Sequence, residues 1–177
     1  KEADIPLVLM TYTNILYNQT YQKFITRAKE AGIDGLILPD MAIEESKEYV
    51  KAAQKSKMDT IFLVSPNTKN DRLREIIKST SGFLYMVAVF GTTGVQTKIH
   101  RYTIDALKNT KNTAKGKIPV GIGFGISTEN DVQKYVSSGA DAVIVGSANI
   151  KIMENTPADK LETKITSFTK KLKNKTR

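Results

Sequence analysis

The chain has 177 residues, 40% of them hydrophobic and 25% charged, which is enough for one domain with a sizeable core. It contains no cysteine and a single histidine, His100, so disulfide frameworks, thiol nucleophiles, thiolate metal sites and His-paired metal sites are excluded and a Ser-His triad is disfavoured. The formal net charge of +9 suggests nucleic acid, yet Thr163 to Arg177 alone carries Lys164, Lys170, Lys171, Lys173, Lys175 and Arg177 with no acidic residue, so the excess reads as one solvated helix face, with no nucleic acid among the expected partners.

In chain order, the first apolar run is Leu7 to Tyr12, followed by a helix over Thr20 to Ala31 and a strand over Gly35 to Pro39. A helix over Glu44 to Gln54 comes next, with Glu44 and Glu45 in its first turn, then a strand over Asp59 to Ser65 and a helix over Asn70 to Thr80. The fourth strand is Phe83 to Val89. Beyond it, Val89 to His100 holds glycine and threonine with little apolar content, as closing loops do, and His100 opens the following helix. Pro119 to Phe124 is the fifth strand, and a helix over Thr128 to Ser138 opens with a Ser127 cap and Glu129 and Asp131 in its first turn. The sixth strand, Ala142 to Gly146, leads into the short helix "SANIKIMEN" and a terminal helix on which Leu161, Ile165, Phe168 and Leu172 recur at helical spacing.

Strands alternate with helices and never form consecutive hairpins, which is a parallel α/β pattern. No apolar run is long enough for a membrane span or a signal-peptide core, so no membrane association and a cytoplasmic location are expected. One unit recurs: "AGIDGLILPD" (Ala31 to Asp40) and "SGADAVIVGS" (Ser138 to Ser147) both run helix end, glycine, one residue, aspartate, strand, with Gly32 and Gly139 as helix C-caps. Repetition of such βα units without a linker favours a (β/α)8 TIM barrel over a doubly wound sheet, and no G-x-G-x-x-G segment opens a helix after the first strand. Eight strands close a barrel and this chain supplies about six. Residues 1–177 are therefore expected to form a single partial TIM-barrel domain whose N-terminal strands are absent.

In barrels that take phosphorylated substrates, backbone N–H groups of the last two βα loops and a short extra helix hold the phosphate. Gly123, Gly125, Gly146 and Ser147 fall there. Glycine lets the backbone approach the phosphate oxygens, and the Ser147 hydroxyl can donate as well.

Several motifs in this order carry a family resemblance: "LMTYTNILYN" (Leu9 to Asn18), "GIDGLILPDMAIEES" (Gly32 to Ser46), "FLVSPNT" (Phe62 to Thr68), "FLYMVAVFGTTG" (Phe83 to Gly94), "GFGIS" and "VIVGSA". Over essentially its whole length the chain resembles the tryptophan synthase α family from the third barrel strand onward. The resemblance implies a lyase of tryptophan biosynthesis that cleaves indole-3-glycerol phosphate by a retro-aldol reaction to indole and glyceraldehyde 3-phosphate. It implies a heterotetramer with a β subunit that carries pyridoxal phosphate, and no cofactor or metal in this subunit. By the same resemblance Gly94, Gly123, Gly125, Gly146 and Ser147 hold the phosphate, and Met10, Ile37 and Phe124 line the indole slot with Tyr12, Leu63 and Tyr85 nearby. Thr93 sits in the lid that closes over the substrate.

Two departures stand out. Met41-Ala42 follows Pro39-Asp40 where the family usually continues Leu-Pro or Val-Pro, so the start of the next helix is expected to differ. The family's two catalytic carboxylates, a glutamate and an aspartate, belong to the part of the barrel upstream of Lys1, and no residue here matches either, so this chain alone is expected to be inactive. Asp40 is the only other carboxylate at a strand end on that face, and it reads as structural. Two other readings share the glycine loops: a noncatalytic phosphate-binding module, and a sister ribose-phosphate isomerase barrel.

Overall fold

Each of the six apolar runs supplies strand: β1 (Val8–Met10), β2 (Gly35–Ile37), β3 (Asp59–Ile61) with β4 (Leu63–Val64), β5 (Leu84–Val87), β6 (Val120–Gly123) and β7 (Ala142–Ile144). The helices are α1 (Thr13–Tyr17), α2 (Tyr21–Glu30), α3 (Lys47–Lys55), α4 (Asn70–Ser79), α5 (Arg101–Ala114), α6 (Glu129–Ser137), α7 (Ser147–Glu154) and α8 (Ala158–Lys173). The structure is a computed structural model that describes residues 5–88 and 100–176. The chain divides into two units, Lys1–Val64 with Lys69–Tyr85, and Ser65–Thr68 with Met86–Arg177.

In the first unit β1, β2 and β3 lie parallel in that order, with Met10 opposite Ile37 and Ile37 opposite Ile61. β2 is buried along its whole length, as a central parallel strand with helices over it must be. Close packing sets the residue at its start: a Cβ on Gly35 would lie 2.8 Å from Ile61 Cδ1 and 3.3 Å from Asp59 Cβ. The helices turn Ile25, Tyr49 and Leu73 inward, and the buried Tyr49 hydroxyl donates to Leu36 O at 3.3 Å. Two expectations need correction here. The strand over Asp59 to Ser65 is broken at Phe62, whose carbonyl accepts from Tyr85 N–H at 2.9 Å, so the chain changes hydrogen-bonding partner at that point. The helix over Glu44 to Gln54 begins as a 3-10 turn, Ile43–Glu45, and becomes α-helical only at Lys47, where the buried Ser46 hydroxyl has turned back to Ile43 O at 2.7 Å.

Helix passes to strand by one construction used three times. After α2, Gly32 N–H donates to Lys29 O at 2.9 Å and Ile33 N–H to Ala28 O at 3.0 Å, the two bonds of a Schellman motif. After α6, Gly139 and Ala140 bond Val136 O and Tyr135 O in the same way, at 2.9 and 3.1 Å. Both glycines are left-handed, with φ of +86° and +103°, and stand one residue beyond the C-caps Ala31 and Ser138 rather than at them. The third copy follows α3, where Lys57 and Met58 bond Gln54 O and Ala53 O, and a lysine at φ +51° stands in the glycine's place. An aspartate comes two residues after each left-handed position. Asp34 accepts from Leu7 N–H at 2.8 Å and Asp141 from Val120 N–H at 2.7 Å, so each ties its strand to the start of the preceding one. Asp59 instead accepts from the Ser81 hydroxyl at 2.9 Å, towards the segment that follows.

In the second unit β6 and β7 lie parallel with Gly123 opposite Ile144, and Ala88 N–H donates to Gly123 O at 2.7 Å. The fully buried Thr103 hydroxyl in the first turn of α5 donates to Ala88 O at 2.7 Å. The cap of α6 is Thr128, not Ser127: its hydroxyl accepts from Asp131 N–H at 3.2 Å, and Asp131 Oδ2 accepts from Thr128 and Ser127 N–H at 2.9 and 3.1 Å. A residue that caps must precede the reciprocating carboxylate by three, which selects Thr128. On α8, Leu172 is buried and Leu161, Ile165 and Phe168 are half-buried, while the lysines face solvent.

Candidate functional site

The glycine loops of the second unit come together through strand register. Because Gly123 lies opposite Ile144, the segment after β6, with Phe124 and Gly125, and the segment after β7, with Gly146 and Ser147, leave the same end of the pair. The first loop is backbone in a left-handed conformation, with φ of +86° at Phe124 and +72° at Gly125. The N–H groups of Ser127 and Thr128 are taken by Asp131, whereas those of Gly125 and Ile126 donate to no described residue.

The second loop ends on the N-terminus of α7, capped by Gly146 without a side-chain hydrogen bond. Asn149 N–H and Ile150 N–H return to Gly146 O at 2.9 and 3.2 Å, while the N–H groups of Ser147 and Ala148 donate to no described residue. Asn149 Nδ2 donates to Val145 O at 3.0 Å, bracing the turn from inside the helix. Gly146 has φ of −109°, and a Cβ built on it would meet nothing within 4 Å. Neither packing nor backbone conformation therefore calls for glycine here, in contrast to Gly35. Among the described residues the space around that Cβ is open, next to a helix N-terminus whose dipole favours an anion.

In the first unit, Met10 and Ile37 are paired in register at the strand ends. Ile37 is 6% exposed and Met10 51%, since β1 stands at the end of its sheet. Tyr12 follows at 63% exposure, Leu63 is half-buried, and Tyr85, 7% exposed, has its phenol pushed up by burial and so carries an un-ionised hydroxyl. Gly94 and Thr93 lie outside the described residues, as does the closing loop up to Ile99.

Asp40 leaves the end of β2 and reaches back to α1, a helix without apolar periodicity that the sequence pattern did not reveal. Its carboxylate accepts from Thr13 N–H at 3.0 and 3.1 Å and from Thr13 Oγ1 at 2.6 Å. Desolvation alone would raise this carboxyl, but the Thr13 hydroxyl and N–H, with Asp40's own N–H, outweigh it and hold the group below its ordinary value of 3.8. An ionised helix cap is poorly suited to donate a proton. Glu44 is held low by its own backbone N–H and by Arg72, with which it forms a two-pronged ion pair whose second contact is 3.0 Å.

The family model for the tryptophan synthase alpha chain matches residues 1–177. The chain is 42% identical over 176 residues to the tryptophan synthase alpha chain of Methanococcus vannielii, covering 98% of this chain and 67% of that one. It is 39% identical over 153 residues to that of Pyrococcus abyssi, covering 86% and 61%. A crystal structure of the tryptophan synthase complex from Pyrococcus furiosus superposes with a TM-score of 0.87 at 31% identity, over 97% of this chain and 67% of that one. The chain thus spans about three-fifths to two-thirds of the length of these relatives. Its α/β fold is that of these structures, six βα units of a (β/α)8 barrel. The chain belongs to the tryptophan synthase alpha chain family.

Proposed function

We propose that this chain supplies the phosphate-holding loops and apolar walls of a lyase that cleaves indole-3-glycerol phosphate to indole and glyceraldehyde 3-phosphate. The observation that carries the reading is the pairing of two loops at one strand end, each presenting backbone N–H groups that no described residue uses. In this reading the N–H groups of Gly125, Ile126, Ser147 and Ala148, with the Ser147 hydroxyl, fix the phosphate, and that anchoring sets where the glycerol carbons and the indole ring lie. The resemblance assigns the ring's apolar surroundings to Met10, Ile37, Leu63 and Tyr85 in the first unit, with Tyr12, and to Phe124 in the second. No described carboxylate is given a proton transfer of the retro-aldol step in this reading. Indole passes to a β subunit, which holds the pyridoxal phosphate, and a cytoplasmic setting goes with that role.

The test is titration of the intact protein with glycerol 3-phosphate, comparing wild type with Gly146→Val. The valine fills the space in front of α7 without meeting protein atoms at its Cβ. Affinity is expected to fall about tenfold or more through lost contact with the Ser147 and Ala148 donors, with little change in the thermal midpoint. Undiminished binding would remove the phosphate assignment.

A further inference from the structure

A bulky side chain at φ +86° is an outlier among L-residues, which avoid the left-handed region through the clash of Cβ with the backbone. Phe124 stands there, and it is flanked by glycines that could have taken that conformation without strain. Such strain persists only where the surroundings over-determine it, and it concentrates at sites that bind or react.

We infer that Phe124 is a positioning residue for the anion: its half-buried ring pins the backbone in the left-handed conformation that aims the N–H groups of Gly125 and Ile126 at the space in front of α7. The inference rests on the phosphate reading above. Three features of the loop support it. Gly123, immediately before, is fixed by the β6–β7 register and by Ala88 N–H on its carbonyl. Ser127 and Thr128, immediately after, are fixed by Asp131. Ile126 is 5% exposed, so its side chain is anchored as well. The rotation at Phe124 and Gly125 is left to decide where these two donors, unused by any described residue, point, and Gly125 has no side chain with which to hold it. The phenylalanine is thus the one residue of the pair able to lock the turn, although its backbone is the less suited to it. A ring that served only as a wall for the indole would have no reason to influence an anion that carries no ring.

The experiment compares Phe124→Ala and Phe124→Gly with wild type in the intact protein, using glycerol 3-phosphate as the probe and thermal unfolding as the second readout. Both variants lack the ring, but alanine is strained at this φ and glycine is not. The glycine variant is expected to unfold at the higher temperature of the two, reversing the order found where φ is negative. Alanine relaxes the turn, lowers the population of the binding-competent loop and weakens glycerol 3-phosphate about fivefold or more. Glycine permits the turn but has no ring to hold it, so it is expected to bind about threefold or more weakly than wild type, though more tightly than alanine. Wild-type affinity in either variant, or an alanine variant at least as stable as the glycine one, overturns the positioning role while leaving phosphate binding intact. Failure of wild type itself to bind glycerol 3-phosphate overturns the phosphate reading and this inference with it.

Discussion

Asp40 shows how position and chemistry diverge at a single residue. It ends a strand on the face where acids and bases work, yet all its described hydrogen bonds serve Thr13 or its own backbone. Because its folded value lies below 3.8, the unfolded chain takes up the proton first as pH falls. The stabilisation is therefore complete above the ordinary value and is lost as pH drops through the folded one. Thermal midpoints of wild type and Asp40→Asn are expected to differ most near neutrality and to converge as the pH falls through the lowered folded value of Asp40. A constant gap at all pH values would mean that the charge on Asp40 does not brace α1. The sequence placed Asp40 just beyond a strand. Its partner was not legible, because Thr13 lies 27 residues away and only the β1–β2 register brings the two together.

At the scale of elements, the Schellman ends after α2 and α6 were legible from Gly32 and Gly139, while the third was hidden because Lys57 occupies the left-handed place. An L-residue there costs about 1 to 2 kcal/mol, partly offset in any glycine replacement by the greater freedom of the unfolded chain. Lys57→Gly is expected to raise stability by about 0.5 to 1 kcal/mol, a rise of a few degrees in the thermal midpoint, while Lys57→Ala gives no such gain. Chemical denaturation of the three proteins checks it, and parity of glycine with alanine would show that the turn is unstrained. The cap of α6 carries the complementary lesson. Ser127 and Thr128 are equally good capping residues by type, and the reciprocal bond with Asp131 chooses between them.

At the scale of the molecule, the proposed phosphate loops would hold a substrate without supplying the groups that transform it. General acids and bases each contribute about 10² to 10⁴ in rate, and no described carboxylate is placed for either role once Asp40 is occupied as a cap. The 177-residue chain alone is therefore expected to release no indole from indole-3-glycerol phosphate when assayed beside the alpha chain of Methanococcus vannielii. Ile5, Leu7, Val8, Met10 and Tyr12 are exposed along and beside β1, which has a neighbour on one side only among the described residues. Such an edge recruits other chains, so sedimentation of the isolated chain is expected to show self-association that rises with concentration. A monomeric chain with turnover comparable to the relative would place a catalytic group within these residues.

The amino-acid sequence by itself determined the order of strands and helices, because parallel strands buried on both faces must be written as short apolar runs and their covering helices as amphipathic ones. It also determined where the glycines of the two loops fall, since chain order alone puts "GFGIS" and "VGSA" at strand ends. Only the tertiary structure decided what those positions do. Gly35 is a glycine because Ile61 crowds it, and Gly146 has open space before it. Phe124 is left-handed although its residue type argues against it, and Asp40 is a cap although its place suggests chemistry. Each of these depends on what lies across a strand register or in front of a backbone, and such neighbours come from residues distant in the chain, where local pattern carries no signal.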